Sequence, residues 1–266
     1  MVDAHCHLNF KAFENDIDKV IKGALDSGVG AIVNVGTKID SSKHAVKLAE
    51  KYNNLYASAG IHPHHADKLE TDWLEKLEYI AKNKKVIAIG EIGLDYYSYR
   101  SNGITDPKLQ KDLFDKQIEI AIRNRLPLQI HNRQAGKDIL DILINHKSHF
   151  LNPPGVFHCF SGSIEFLKKV LDLGFYVGFD GNITYKGLAK GETTSLLDLV
   201  KYVPVDRILT ETDSPYLAPV PFRSLRNTPK NVIIVGEFIA SCKNIDKVDF
   251  WNQIDKNFES LFKVKL

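Results

Sequence analysis

The sequence predicts an α/β protein in which residues 1–266 form one domain, a single (β/α)8 TIM barrel with an extra C-terminal helix. Three observations favour this fold. The chain has 266 residues, close to the roughly 250 residues of one such barrel. Short β-rich runs alternate with longer amphipathic segments, as in repeated βα units. Histidines and carboxylates lie near the ends of several short runs, and a barrel of this type carries its active site at those ends.

Eight strands are predicted from the short runs. In chain order they are Val2–Leu8, Ala31–Gly36, Leu55–Ile61, Val86–Gly93, Pro127–His131, Gly155–Phe160, Phe175–Phe179 and Ile208–Thr212. Because helical segments separate all of them, the strands are expected to lie parallel. A closed barrel is favoured, with a doubly wound open sheet as the alternative.

The amphipathic segments predict nine helices. They are Glu14–Ser27, Ser41–Tyr52, Asp72–Lys82, Lys108–Arg125, Ala135–Asn145, Ile164–Leu173, Thr194–Tyr202, Pro229–Cys242 and Lys247–Phe262. Ser41 and Asp72 are expected N-caps, and Pro107 and Pro229 stand where a first helical turn would begin. The ninth helix follows the eighth βα unit, so we expect it to pack outside the barrel.

The composition excludes several classes of protein. The net charge is +2, too small for nucleic-acid binding by overall charge alone, so any such binding needs a local cluster or a metal ion. Three cysteines, an odd number, do not form a disulfide framework and indicate a reducing compartment. No signal peptide or membrane-spanning run is recognisable, and a cytoplasmic location is expected.

Six side chains near the predicted strand ends have metal-ligand chemistry. His5 and His7 are two residues apart in the first strand, so both point to one face, while Cys6 points to the other. Ordinary hydrogen bonding at the barrel rim is the alternative for any one histidine. Four histidines and two carboxylates meeting at one mouth instead favour divalent metal ions. The predicted ligands are His5, His7, Glu91, His131, His158 and Asp213.

Further side chains are expected around this mouth. His62 and His64 follow the third strand and could either support the ligands or contact a phosphate. Arg133, the loop residues Arg223 and Arg226, and Asn227 could bind substrate phosphate, with solvated loop residues as the alternative. Glu211 shares a strand side with Asp213, and the latter is assigned to metal and water because it lies nearer the strand end. Cys6 and Cys159 are expected to point away, into the packed layer.

The motifs together resemble the TatD family of metal-dependent deoxyribonucleases, within the amidohydrolase-like barrel superfamily. They are Asp3-Ala4-His5-Cys6-His7-Leu8, Gly60-Ile61-His62-Pro63-His64, Gly90-Glu91-Ile92-Gly93-Leu94-Asp95-Tyr96, His131-Asn132-Arg133, His158-Cys159-Phe160-Ser161-Gly162, Glu211-Thr212-Asp213-Ser214-Pro215-Tyr216 and Arg226-Asn227-Thr228-Pro229. The resemblance implies a two-metal site held by the six ligands, with Glu91 bridging. It also implies Mg²⁺- or Mn²⁺-dependent DNA cleavage, often from the 3′ end.

The sequence therefore predicts a hydrolase that cleaves phosphodiester bonds in DNA, a 3′-5′ exodeoxyribonuclease with two divalent cations (Mg²⁺, Mn²⁺ or Zn²⁺). Asp213 and Glu91 are its expected catalytic residues, acting through a metal-activated water. The substrate is expected to be single-stranded DNA or DNA 3′ ends, with no membrane and no protein partner. The first alternative is an amidohydrolase or esterase for a small molecule, because one fold hosts many reactions. The second is a nucleic-acid-binding or scaffolding protein whose metals are purely structural.

Overall fold

Eight parallel strands form one sheet whose order in space follows their order in the chain. The computed structural model describes residues 1–100, 103–188 and 191–266. The strands are β1 Val2–Cys6, β2 Ala31–Val35, β3 Leu55–Ala59, β4 Val86–Asp95, β5 Leu128–Arg133, β6 Gly155–Phe157, β7 Tyr176–Phe179 and β8 Ile208–Thr210. All eight lie where the alternating pattern predicts them, and each pairs in parallel with the next.

The sheet closes through hydrogen bonds between β1 and the chain around β8. The Asp213 amide donates to the His5 carbonyl at 2.9 Å, and the His7 amide donates to the Ser214 carbonyl at 2.7 Å. The Thr210 hydroxyl donates to the Val2 carbonyl at 2.8 Å. The fold is therefore a (β/α)8 barrel and not the open sheet that was the alternative.

Nine helices alternate with the strands or follow them in the described residues, as the sequence predicts. They are α1 Ile17–Leu25, α2 Ile39–Lys51, α3 Trp73–Ala81, α4 Pro107–Asn124, α5 Gly136–His146, α6 Ile164–Asp172, α7 Leu196–Tyr202, α8 Val232–Lys243 and α9 Lys247–Phe262. The last is the extra C-terminal helix. Within the described ranges, no helix has both the length and the apolar character needed to cross a bilayer.

The predicted N-cap of α2 is wrong. Ser41 is not the N-cap of α2, which begins two residues earlier at Ile39. The Ser41 hydroxyl instead accepts the backbone amides of Thr37 and Lys38, at 2.8 and 2.9 Å, from inside the first turn. A side chain in the first turn of a helix can therefore accept from the amides that precede the helix, and this hydrogen-bonding pattern does not identify the first helical residue. Pro229 opens a short 3-10 turn that precedes α8.

The barrel interior is polar near its mouth, and the apolar core lies between sheet and helices. In β1, Val2, Ala4 and Cys6 belong to the apolar core. The alternate residue Asp3 faces the interior, where it accepts from the Thr212 hydroxyl at 2.6 Å and the Thr212 amide at 2.9 Å. The two-residue periodicity of the strand produces this division. It places the chemically active residues on the axis of the barrel.

Three of the strands that carry the site end earlier than the sequence predicts, whereas β4 and β5 continue two residues further. β1, β6 and β8 stop at Cys6, Phe157 and Thr210, whereas the predicted strands continue for two or three residues. After β6 and β8 the backbone turns away from the ladder, where Cys159 and Asp213 adopt left-handed conformations with φ of 45° and 51°. These turns redirect side chains toward the mouth.

Substitution of Gly236 by alanine in α8 is expected to lower the free energy of unfolding by about 1–2 kcal/mol. A Cβ there would lie 2.2 Å from Cζ2 of Trp251, which packs from α9, and overpacking costs roughly 1–3 kcal/mol. That cost exceeds the gain of about 0.5–1 kcal/mol from replacing a helical glycine. Urea denaturation measures the difference. Gly23→Ala in α1 is the control, because its Cβ meets nothing within 4 Å and should stabilise.

Candidate metal centre

The six predicted ligands converge at the carboxyl end of the barrel. A cavity of about 830 Å³ opens there, and it is lined by His7, Glu91, His131, His158 and Asp213. His5 lies beneath them and is completely buried. The strand order brings together residues that lie more than 200 positions apart in the chain, because β1 and β8 are neighbours in the closed barrel.

The carboxylate of Glu91 lies at the centre of this set, and its two oxygens face different groups. Oε1 is 2.9 Å from Nε2 of His158 and 3.0 Å from Nδ1 of His131. Oε2 is 3.6 Å from Nε2 of His7 and 3.8 Å from Nε2 of His5. One carboxylate can therefore bridge two cation positions in this arrangement.

Asp213 completes the second group. Its Oδ1 lies 3.3 Å from Nε2 of His7 and 3.9 Å from Nε2 of His5, and the two imidazole nitrogens are themselves 3.3 Å apart. His5, His7 and Asp213 have potential ligand atoms all within 4.8 Å of one another, as do His5, Glu91 and His158. These separations are within reach of a shared ion.

The hydrogen bonding of His7 is that expected of a metal ligand. Nδ1 of His7 lies 3.0 Å from the Val35 carbonyl, which can only accept, so Nδ1 carries the proton. In the neutral ring, Nε2 then carries no proton, and its lone pair faces the Asp213 carboxylate. Two acceptors at this distance repel each other unless a proton or a cation lies between them. A backbone carbonyl that fixes the tautomer of a histidine is typical of metal ligands.

The pKa values follow from this crowding. Burial opposes ionisation of Glu91, but the surrounding imidazoles, with His158 and His62 foremost, hold the pKa of its carboxyl well below the usual value. Burial also opposes charging of His131, yet its contacts with Asp95 and Glu91 raise the pKa of His131 to about 9. Burial and the neighbouring His158 lower the pKa of His5. The ionised carboxylate and neutral His5 are forms that bind metals.

Asp95 is a functional residue that the sequence reasoning missed. Its Oδ2 lies 3.1 Å from Nε2 of His131 and 3.0 Å from Nε2 of His64, and it accepts from the Tyr99 hydroxyl at 2.9 Å. His131 therefore lies between two carboxylates, with Nδ1 toward Glu91. The signal was available, because Asp95 is four residues after Glu91 in β4 and the strand period places both on one face.

Asp95→Asn is expected to weaken metal binding about 10- to 100-fold, the usual effect of losing a carboxylate behind a ligating histidine. Asparagine has the same size but lacks the negative charge that orients His131. Titration calorimetry with Mn²⁺ or Zn²⁺ measures the change. Tyr99→Phe, which removes one donor to Asp95 and leaves its charge, should have a smaller effect. An unchanged dissociation constant in Asp95→Asn would contradict this role.

His62, His64 and Arg133 all line the cavity, and their role in substrate binding stays a prediction. Nε2 of His62 lies 3.6 Å from Oε1 of Glu91, so His62 is as close to this carboxylate as the second ligand group is. The Arg133 guanidinium lies 4.1 Å above the ring of Tyr97 and donates to the Tyr99 hydroxyl at 2.8 Å. The Arg133 side chain is exposed.

The structure corrects the expectation for Asn227. Its side chain is 0% exposed, and its amide donates to the Thr212 carbonyl at 2.8 Å, so it fixes the segment before Asp213 and does not reach the cavity. Arg226 is also engaged, in two hydrogen bonds with Asp16. Arg223 stacks on the ring of Tyr185 at 4.2 Å and is not part of the cavity lining. A loop position in the sequence does not reveal such partners.

Glu211 and Cys159 form a support behind His158. Oε2 of Glu211 accepts the Cys159 amide at 3.0 Å, and Gly178 leaves the room for its carboxylate, because a Cβ there would lie 2.1 Å from Oε1. The expectation that Cys159 points into the packed layer is wrong, since it lines the cavity. Its left-handed backbone breaks the alternation on which that expectation depended. Cys6 does lie in the core.

Comparison with known proteins gives relatives along the whole chain. A family model described as TatD related DNase matches residues 2–263. The chain is 36% identical to the uncharacterized metal-dependent hydrolase YabD of Bacillus subtilis. This match extends over 265 residues and covers 99% of each chain. It is 35% identical over 267 residues to the uncharacterized metal-dependent hydrolase YcfH of Escherichia coli K12, covering 99% of this chain and 96% of YcfH.

Solved structures agree with the fold and with these relatives. The crystal structure of YjjV, a TatD homologue from Escherichia coli K12, is 30% identical with a TM-score of 0.88, covering 99% of this chain and 98% of that one. A phosphotriesterase homology protein from Escherichia coli shares the fold, with 15% identity and a TM-score of 0.66. With the barrel and the histidine- and carboxylate-rich mouth, the matched family model and these identities show that the chain belongs to the TatD family of metal-dependent hydrolases.

Proposed function

We propose that this protein hydrolyses phosphodiester bonds in DNA, as a 3′-5′ exodeoxyribonuclease that uses two divalent cations. The observation that carries the proposal is the position of Glu91, whose two carboxylate oxygens face separate groups of donors. Paired cations are a frequent device for phosphodiester cleavage, because they stabilise charge on both the attacking and the leaving oxygens. The family description as a DNase supports DNA as the substrate.

Each ligand group would hold one cation. His131, His158 and Oε1 of Glu91 form one, and His5, His7, Asp213 and Oε2 of Glu91 form the other. When bound, divalent cations lower the pKa of a neighbouring water and neutralise phosphate oxygens. Imidazole and carboxylate ligands together suit Zn²⁺, Mn²⁺ and Mg²⁺ in different degrees.

Asp213 acts as the proton acceptor in this proposal. It is the more accessible of the two carboxylates, with 15% of its side chain exposed against 6% for Glu91. Its left-handed backbone turns it into the cavity. A water between Asp213 and a substrate phosphate could give its proton to this carboxylate as it attacks.

Cationic side chains around the cavity would hold the substrate. Besides its contact with Tyr99, the exposed guanidinium of Arg133 has no other hydrogen bond within the described residues, and a guanidinium pairs with phosphate through two parallel hydrogen bonds. His64 and Lys68 line the same wall, and Lys68 was not singled out from the sequence. Arg133, Lys68 and the bound cations would give a chain of net charge +2 the local positive charge that a polyanion needs.

The test is a nuclease assay on single-stranded DNA labelled at either end, with metal-stripped protein and then with Mg²⁺, Mn²⁺ or Zn²⁺. Metal-dependent, stepwise shortening of the 5′-labelled strand, with early release of a 3′ label, is the expected result. The His131→Ala variant is the control against a contaminating nuclease. If folded, metal-loaded protein leaves DNA intact, the proposal fails, and hydrolysis of a small-molecule ester or amide becomes the activity to assay.

A further inference from the structure

We propose that a groove beside the metal cavity binds the backbone of the single strand that remains attached during cleavage, and that Phe10 and Tyr216 stack its unpaired bases at the entrance. This groove, here called the flanking groove, has a volume of about 540 Å³ and includes Lys11, Lys38 and Pro215. The inference rests on the proposed nuclease function, and it assigns the path of the polynucleotide beyond the reacting phosphate.

The flanking groove is continuous with the metal cavity. Phe10, Thr37 and Tyr216 line both of them. The side chains of Phe10 and Tyr216 form the wall between the two spaces. Phe10 stacks on the His7 ring at a centroid distance of 4.5 Å, so this wall touches a predicted metal ligand. A chain that leaves the metal cavity over this wall enters the flanking groove directly.

The charge of the flanking groove suits phosphate groups. Its described lining contains three cationic side chains, Lys11, Lys38 and Arg226, and no carboxylate. Arg226 is paired with Asp16. Lys11 and Lys38 are exposed, and neither ammonium has an ion pair within residues 1–100, 103–188 and 191–266. Two unpaired ammonium groups along one groove are suited to successive phosphates of a strand.

Two aromatic side chains form the wall between the two spaces, the exposed Tyr216 and the partly buried Phe10. Tyr216 is 55% exposed, and it meets Phe10 edge to face at 6.3 Å between ring centroids. Exposed aromatic rings beside a cationic groove are typical of proteins that bind single-stranded nucleic acid, where unpaired bases stack on them. A base pair in a duplex has its faces covered by its neighbours, so this wall would select unpaired bases.

The opposite side of the mouth differs in charge. Ser161, after β6, donates to Glu192 at 3.2 Å, and both line the metal cavity. The loop after β6 lies across the barrel from the loop after β2, which carries Thr37 and Lys38, because the strands follow chain order. The carboxylate of Glu192 disfavours phosphates on that side. The strand should therefore leave toward Lys11 and Lys38.

The test compares wild type with the double variant Lys11→Ala/Lys38→Ala. Fluorescence anisotropy measures binding of a labelled 12-mer single strand in Ca²⁺, and cleavage in Mn²⁺ is followed with a dinucleotide and with the 12-mer. We expect binding of the 12-mer to weaken about tenfold and the slope of log affinity against log salt to fall by about 1.4, since each phosphate contact contributes about 0.7. The KM for the 12-mer should rise with little change in kcat, while dinucleotide cleavage is unchanged.

The control is Lys256→Ala/Lys265→Ala, which removes the same charge away from the groove. Lys256 lies in α9 beside Asp255, and Asp255 pairs with the amino group of Met1. Because Met1 directly precedes β1, this contact lies at the end of the barrel opposite the mouth. A second variant, Tyr216→Ala, tests the aromatic wall. Wild type should bind an intact strand more tightly than a strand with an abasic site next to the scissile bond. The variant should lose most of this difference in affinity. Equal effects of the two lysine pairs, or no effect on binding, would overturn the inference. Lysine-dependent binding without cleavage would instead reject the nuclease proposal and leave the groove assignment standing.

Discussion

Replacement of Glu91 by glutamine is expected to remove both cations and to lower kcat on the order of 10⁴-fold or more, because metal-ion and acid–base contributions are lost together. Each oxygen of this carboxylate faces a different ligand group. An amide has the same shape, but it carries no charge and presents an NH₂ group to one of them. Among the six predicted ligands, the four imidazoles are then left with Asp213 as the one remaining carboxylate.

Metal content by elemental analysis and turnover on single-stranded DNA measure this effect. The expected metal content of the variant is well below that of wild type, and added Mn²⁺ or Zn²⁺ should no longer raise its melting temperature. Glu75→Gln, an exposed glutamate on α3, controls for the loss of one charge. A variant with wild-type metal content and turnover would show that Glu91 does not join the two groups.

Replacement of Asp213 by asparagine is expected to lower kcat by about 10²- to 10⁴-fold, the usual contribution of a general base, with a much smaller effect on stability. Asparagine is the appropriate substitution because Asp213 has φ of 51°, and asparagine tolerates this left-handed conformation better than alanine does. The change therefore isolates the carboxylate chemistry from backbone strain. Turnover and the urea midpoint are measured on the same preparation.

The metal content of Asp213→Asn separates its two assigned roles. Retention of metal with loss of turnover supports proton acceptance, whereas loss of metal in proportion to turnover makes Asp213 chiefly a ligand through its contact with His7. Ser214→Ala, beside it in the chain, removes a buried hydroxyl that accepts from Thr212 at 3.1 Å and leaves all six predicted ligands intact, so it controls for local disturbance. Full activity of Asp213→Asn would show that this carboxylate neither binds metal nor accepts the proton.

The barrel could be predicted from local patterns. Short strands and amphipathic helices have different periods, and their alternation was visible along the whole chain. The structure has eight strands and nine helices in the described residues at the predicted places. Helix and strand limits were less accurate. Ser41, for example, has a capping residue's hydrogen bonds but lies inside α2, because the composition of a cap does not fix which residue is first.

The meeting of the candidate ligands at one mouth could also be predicted, because each lies near a predicted strand end and the carboxyl ends of barrel strands come together there. Asp95 was missed, although its place on β4 and its spacing from Glu91 indicated a common face. Its importance appears only from its contacts with His131 and His64. Asn227 was assigned to substrate, but it is buried against the Thr212 carbonyl.

The sequence by itself determined the fold class, the residue types at the mouth and the family motifs, since these depend on periodicity and on order along the chain. Only the tertiary structure decided how the side chains meet. It placed the two oxygens of Glu91 toward different ligand groups, turned Cys159 and Asp213 toward the mouth through left-handed backbone, and paired Arg226 with Asp16. Distances of a few ångströms between residues far apart in the chain depend on barrel closure and on side-chain direction, and no local pattern encodes either.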